Sequence, residues 1–183
     1  YLPFEPGVLA LCRASLDVFR HLGCTVEEVS PGFDMARLWQ TWRTLRHFLV
    51  ANGQAADHAD PERRARMKPE MIWEIENGQN LSASEVYAAS LGRSDWLRYV
   101  SGLFETYDFL ILPSAQVFPF DADMDWPKAI DGRAMDTYHR WMEVVIGPTL
   151  AGLPVAAMPA GFGDNGLPAG IQIIGRPRAD GDV

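Results

Sequence analysis

Cysteine is scarce in this sequence, since only Cys12 and Cys24 occur among its 183 residues. Small domains that rely on disulfide bonds carry a much higher density of cysteine, so that class of protein is excluded. We expect both thiol side chains to pack as small apolar groups. The six Trp, nine Phe and five Tyr exclude intrinsic disorder. A chain of this length buries enough apolar surface to fold without disulfides or structural metals.

Positive charge is also in deficit, with 16 Lys and Arg against 24 Asp and Glu and a net charge of −8. Such a surface repels a phosphate backbone, so we predict no nucleic-acid partner. Residues 144–163 carry no charge, but Pro148, Pro154 and Pro159 interrupt any helix there, and we predict no membrane association. We find no secretory signal and predict a cytoplasmic location.

Spacings typical of metal and cofactor sites are missing as well. His21, His47, His58 and His139 are scattered, and no cysteine accompanies them at zinc-finger spacing. Residues 161–166 match the pattern G-x-G-x-x-G, but a strand-like segment follows where a dinucleotide site needs a helix. We therefore predict no metal and no cofactor. No serine lies in the glycine-flanked turn that carries the nucleophile of many hydrolases.

The apolar periodicity alternates between helical and extended segments, which predicts an α/β protein. Asp34 is placed to cap a helix that ends at Gly53, and the spacing of Ser82 and Glu85 is typical of a capping box. The apolar run 109–112 is typical of a strand covered on both faces. The predicted helices are 6–22, 34–53, 69–77, 82–104 and 135–145, and the predicted strands are 25–29, 109–112, 154–158 and 169–174.

Glycines and prolines near the end of the sequence follow an ordered pattern. It resembles G-x-P, then P-x-G, then G-L-P-x-G-x-Q-x-x-G, with Gly152, Pro154, Pro159, Gly161, Gly166, Leu167, Pro168, Gly170, Gln172 and Gly175 in register. Upstream, residues 107–113 read Y-D-F-L-I-L-P and resemble a strand motif Y-D-x-L-x-x-P. Together these segments resemble the C-terminal region of the amidase signature family. The resemblance implies the C-terminal part of an α/β/α fold, a mixed sheet flanked by helices, with residues 1–183 as a single partial domain.

The resemblance also implies an amidase that hydrolyses a carboxamide C–N bond in a small-molecule substrate through a Ser–cis-Ser–Lys triad. This chain has no Gly-Gly or Ser-Ser pair, and its only lysines, Lys68 and Lys128, stand in segments unlike the family's catalytic lysine. We therefore expect no catalytic residue here. The triad is expected in a missing N-terminal half, and this fragment alone is expected to be inactive.

The expected contribution of this chain is sheet strands and a wall of the substrate pocket. By resemblance, the candidates are Gln116 and Phe118 in the loop after the strand, with Trp141 and Tyr138 on the following predicted helix. Plain core packing is the alternative role for each of them. Thr149 stands where the family commonly has Asn, so no polar role is carried over to that position.

Two other functions remain open at the level of sequence. One is an amidotransferase A-type subunit that passes released ammonia to a partner. The other is a non-catalytic binding or scaffold half-protein, in which the apolar edge left by missing strands would be covered by formation of a homo-oligomer.

Overall fold

The computed structural model describes residues 1–183, which form two compact units. One unit is formed by residues 33–100, and the other by residues 1–32 together with residues 101–183. The single partial domain inferred from the sequence stays a prediction.

The unit 33–100 is built of helices. They are α3 (Met35–Gly53), α4 (Ala55–Ala59), α5 (Pro61–Arg64), α6 (Pro69–Gln79) and α7 (Ala83–Leu103). The last residues of α7, 101–103, are counted with the other unit. The predicted cap at Asp34 is confirmed, because its side chain accepts a 3.0 Å hydrogen bond from the backbone N–H of Arg37. No helix anywhere in the chain has the length and apolar character needed to cross a membrane.

The predicted capping box before α7 is also confirmed. The hydroxyl of Ser82 accepts from the N–H of Glu85 at 3.2 Å, and the carboxylate of Glu85 accepts from the N–H of Ser82 at 2.8 Å. The N–H and the hydroxyl of Ser82 both donate to the carboxylate of Glu85, at 2.8 and 2.7 Å, and these two bonds lower the pKa of Glu85 because they stabilise its ionised form. The first turn of α7 is therefore satisfied by side chains from its own sequence.

Helices α3 and α6 approach each other closely at a glycine. A Cβ atom at Gly78 would overlap the carbonyl oxygen of His47 and crowd the Cβ of Ala51. On the same two helices, Leu38 and Ile75 are fully buried, and Arg46 donates a 3.0 Å bond to the buried carboxylate of Glu74. The packing of α3 against α6 thus requires a residue without a side chain at position 78.

The other unit contains a three-stranded sheet with the order β1-β5-β4. Its strands are β1 (Leu110–Pro113), β4 (Val155–Phe162) and β5 (Pro168–Ile174), and both of its pairs are antiparallel. A bulge interrupts the β4–β5 register between Pro159 and Gly161. The predicted Asn165-Gly166 turn joins β4 to β5, and Gly166 adopts a left-handed φ of 74°. Helices and sheet occur together, as the predicted α/β class requires.

Helix α1 (Val8–Ser15) packs on this sheet and is followed by α2 (Asp17–His21). The core between α1 and the sheet contains Val8, Cys12, Phe118 and Ile171. Burial raises the pKa of the Cys12 thiol and favours its neutral form. Cys24 is exposed, so the prediction that both cysteines are buried was wrong for Cys24.

A hairpin, a 3₁₀ helix and a short α-helix complete this unit. The hairpin pairs β2 (Ala129–Ile130) with β3 (Arg133–Ala134), and α8 (Ile146–Ala151) follows the 3₁₀ helix Arg140–Val145. A last 3₁₀ turn spans Asp180–Asp182.

Three local predictions were wrong. Residues 25–29 form no strand, because neither sheet places a strand beside them to pair with their backbone groups. The side chain of Glu28 pairs with Arg13 at 2.8 Å. No part of residues 135–145 is α-helical, and residues 140–145 form a 3₁₀ helix instead. Strand β1 is an edge strand with Leu112 exposed, whereas the apolar run predicted cover on both faces.

We expect Gly78→Ala to destabilise the helical unit by about 1–3 kcal/mol, because the added methyl group meets backbone atoms of α3 that cannot move aside cheaply. Urea unfolding followed by circular dichroism measures the loss. Gly53→Ala is the matched control, since a Cβ there meets nothing within 4 Å, and it should leave the stability equal or higher. Equal effects of the two substitutions would contradict the close approach at Gly78.

We expect Ser82→Ala to lower the free energy of unfolding by about 1 kcal/mol, because it removes the side-chain acceptor at the start of α7. The same urea titration measures it. Ser90→Ala, an exposed position within α7, should be neutral or slightly stabilising because alanine has the higher helix propensity. A Ser82→Ala variant as stable as the parent chain would show that the cap contributes nothing.

Candidate binding pocket

A cleft of about 480 Å³ opens between the loop after β1, the 3₁₀ helix and the β4–β5 hairpin. That volume is within the range of about 300–1,000 Å³ usual for small-molecule sites. Its lining includes Phe118, Pro119, Phe120, Trp141, Met158 and Pro168. None of the residues that line it carries an ionisable side chain, and Ser114 supplies the one hydroxyl. The cleft is therefore suited to an apolar group rather than to a charged one.

Aromatic rings form one wall of this cleft. Phe120 and Trp141 meet edge to face, with ring centroids 5.3 Å apart and planes at 90°. Phe118 is 3% exposed and contributes both to the cleft and to the core under α1. The indole Nε1 of Trp141 is buried without a hydrogen-bond partner. Two of the four site residues named from the sequence, Phe118 and Trp141, are thus brought together in one wall.

Gln116 lies behind the wall and does not line the cleft. Its side chain is fully buried, donates from Nε2 to the carbonyl of Pro3 at 3.1 Å, and accepts at Oε1 from the N–H of Val144 at 3.1 Å. Its own carbonyl accepts from the N–H of Glu5 at 2.8 Å. All of these partners are backbone groups of this chain, so Gln116 connects segments of the protein.

Tyr138 is placed apart from the cleft. Its ring lies edge to face against Trp126, at 6.3 Å between centroids, and against His139 at 4.9 Å. It is absent from the residues that line the cleft, and the contacts described for it are packing contacts with these two rings. Its assignment as a substrate-binding residue stays a prediction without a contact to support it.

Gln172 has the role expected of a glutamine in a buried strand. Its Nε2 donates to the carbonyl of Pro113 at 2.9 Å and lies 3.4 Å from the carbonyl of Val144. Gln172 thereby supplies a donor to two backbone carbonyl groups in the interior.

A charged cluster anchors the start of the 3₁₀ helix, and none of its residues lines the cleft. Arg140 donates to both oxygens of Asp136, at 2.9 and 3.1 Å, and to the buried carboxylate of Glu143 at 2.8 Å. Burial raises the pKa of Glu143, and Arg140 opposes that shift. Burial lowers the pKa of Arg140, but its bonds to Asp136 and Glu143 raise it overall. These ion pairs hold the backbone on either side of Trp141.

Neither lysine of the chain lies in the cleft. Lys68 and Lys128 are both exposed, and the ammonium of Lys128 lies 3.4 Å from the centroid of the Trp126 ring. A lysine that activates a serine nucleophile must be shielded from water and close to the hydroxyl group. The lining of the cleft can hold an apolar group, and it offers no ionisable group for proton transfer.

Sequence reasoning missed Phe120, Met158 and Pro168 as members of the site. Phe120 follows Phe118 by two residues, and that spacing within the loop is the one local signal that could have indicated it. Met158 and Pro168 lie on strands β4 and β5, and only the folding of the hairpin brings them to the loop.

Comparison with known proteins gives consistent relatives. A putative amidase of Synechocystis sp. is 37% identical over 83 residues, which are 45% of this chain and 16% of that protein. The A-type subunit of the glutamyl-tRNA(Gln) amidotransferase of Thermus thermophilus is 30% identical over 191 residues, covering 93% of this chain and 38% of that protein. The chain thus spans well under half the length of the relatives it matches.

The crystal structure of a bacterial aryl acylamidase, an amidase signature enzyme, superimposes with a TM-score of 0.84 and 28% identity. The superposition includes 100% of this chain and 39% of the acylamidase. This similarity confirms the predicted fold. The family model described as Amidase matches residues 1–183. Because that model matches the whole of the sequence, the chain belongs to the amidase signature family.

Proposed function

We propose that these residues are part of an enzyme that hydrolyses the C–N bond of a small carboxamide, and that the cleft holds an apolar part of the substrate. The observation that carries the proposal is the cleft itself, in which Phe118, Phe120 and Trp141 form a wall without any ionisable side chain. Membership of the amidase family supports the reaction class.

In this proposal the chemistry is divided between this chain and residues outside it. Amide hydrolysis needs an activated nucleophile and donors that stabilise the oxyanion. The two exposed lysines supply neither, so the Ser–cis-Ser–Lys triad is assigned to an N-terminal half of the same protein. This chain then contributes strands β1, β4 and β5 and one wall of the pocket.

An amidotransferase A-type subunit is the second candidate, favoured by the 30% identity to the Thermus thermophilus protein over most of this chain. The cleft argues against it in one respect. A free amino acid amide carries an ammonium and a carboxylate, and no side chain that lines the cleft bears a charge to pair with either. A non-catalytic scaffold that self-associates is the third candidate. It is the weakest of the three, because the apolar cleft would then have no role.

We expect the isolated 183-residue chain to release no more aniline from acetanilide than a buffer blank does, because the proposed nucleophile lies outside this chain. The full-length protein assayed beside it is expected to be active. Chromatographic quantification of aniline provides the measurement. Sustained turnover by the isolated chain, retained after repeated purification, would contradict the assignment of the triad to another part of the protein.

In the full-length enzyme, Trp141→Ala is expected to lower kcat/KM for an anilide by about tenfold, through a higher KM, because it removes a wall of the cleft. Steady-state kinetics with acetanilide and with the smaller substrate acetamide measure the change, which should be larger for the anilide. Trp126→Ala is the matched control, since Trp126 packs on Tyr138 and does not line the cleft.

The circular dichroism spectrum and melting temperature of each variant show whether it is folded. A folded Trp141→Ala enzyme with an unchanged KM for the anilide would contradict the role of Trp141 as a substrate-pocket wall. A chain that fails to fold would instead indicate that Trp141 is a core residue.

A further inference from the structure

The peptide groups of Val144 are engaged by two buried glutamines. Its N–H donates to Oε1 of Gln116 at 3.1 Å, and its carbonyl lies 3.4 Å from Nε2 of Gln172. Gln116 is fully buried, and Gln172 is 5% exposed. Each glutamine has a second backbone anchor, which is the carbonyl of Pro3 for Gln116 and the carbonyl of Pro113 for Gln172. We call this arrangement the glutamine clamp.

The orientation of the Gln116 amide is determined by its partners. A backbone N–H can only donate and a backbone carbonyl can only accept, so Oε1 must face Val144 and Nε2 must face Pro3. The site therefore needs a donor and an acceptor on one side chain of this length. A methionine offers no N–H donor and at most a weak acceptor, and a lysine offers no acceptor.

The segment held by the clamp carries Trp141. The 3₁₀ helix departs from helical geometry at Met142, where φ is −114° and ψ is 19°. This kink lies between Trp141 and Val144, so a regular helical ladder does not set the position of the indole. A break of this kind within a helix makes the segment depend on contacts from outside it.

We propose that Gln116 and Gln172 are positioning residues that hold the Val144 peptide and thereby set the place of Trp141 in the wall of the cleft. The proposal rests on the proposed function, in which the cleft binds the apolar part of an amide. It changes the role expected for Gln116, which acts through Trp141 and touches no substrate. The clamp then determines how large an apolar group the cleft accepts.

Three variants of the full-length protein test the clamp, namely Gln116→Met, Gln172→Met and the double variant. Gln79→Met, at an exposed position on α6, is the matched control. Hydrogen exchange resolved to single amides should show Val144 exchanging about tenfold faster in Gln116→Met, because its acceptor is lost. The Gln79→Met variant should exchange like the parent protein. Unchanged exchange at Val144 in Gln116→Met would overturn the clamp.

Kinetics separate positioning from a purely structural role. Either single variant should raise KM for acetanilide several-fold with little change in kcat, and should leave KM for acetamide unchanged. The effect of the double variant should be less than the product of the two single effects, because both glutamines act on one peptide. A folded Gln116→Met enzyme with faster Val144 exchange but an unaltered ratio of the two KM values would overturn the positioning role.

A probe that needs no catalysis separates this inference from the proposed function. N-phenyl-1-naphthylamine, a neutral apolar fluorophore, should bind the parent protein and bind the clamp variants several-fold more weakly. If the parent protein hydrolyses no amide, the proposed function fails, and the probe and exchange measurements still decide on the clamp. Gln116→Asn, which keeps the amide on a shorter side chain, replaces Gln116→Met if that variant does not fold.

Discussion

The sheet unit depends on the central position of β5. This strand pairs on one side with β1 and on the other with β4, so its backbone fixes the register of both. Its side chains alternate between two tasks, as the period of a strand requires. Ile171 joins the core under α1, whereas Gln172 reaches the carbonyl groups of Pro113 and Val144. The first residues of the strand line the cleft, so one segment contributes to the core, the clamp and the pocket wall.

In the proposed function, substrate binding and catalysis are carried by different parts of one protein. Uncharged, apolar walls favour an apolar group over a charged one. The charges of this region are kept elsewhere, in the ion pairs of Arg140 with Asp136 and Glu143. Those pairs stabilise the backbone around Trp141 without entering the cleft, and rigid walls of this kind are what positions a substrate.

The features that sequence reasoning predicted correctly are those made by neighbouring residues. The cap at Asp34, the Ser82–Glu85 box and the Asn165-Gly166 turn each consist of contacts within a few positions. Residues 25–29 have strand-like composition, but a strand exists only where a partner accepts its hydrogen bonds, and composition does not report partners. The resemblance pointed to a loop that lines the cleft, yet it could not tell that Phe118 would face the cleft while Gln116 would face away. That distinction depends on Pro3 and Val144, which are distant in sequence.

The bulge in β4 has a consequence for how this chain meets other proteins. Strand β4 lies at the edge of the sheet and exposes Met158 and Phe162, a combination that invites pairing with strands of other molecules. Pro159 has no N–H to offer, and the irregular register up to Gly161 breaks the spacing of the remaining donors and acceptors. An incoming strand can align with only one side of this break at a time. The same irregularity, which lies beside the cleft-lining residues Met158 and Pro159, therefore disfavours continuous edge-to-edge pairing along β4.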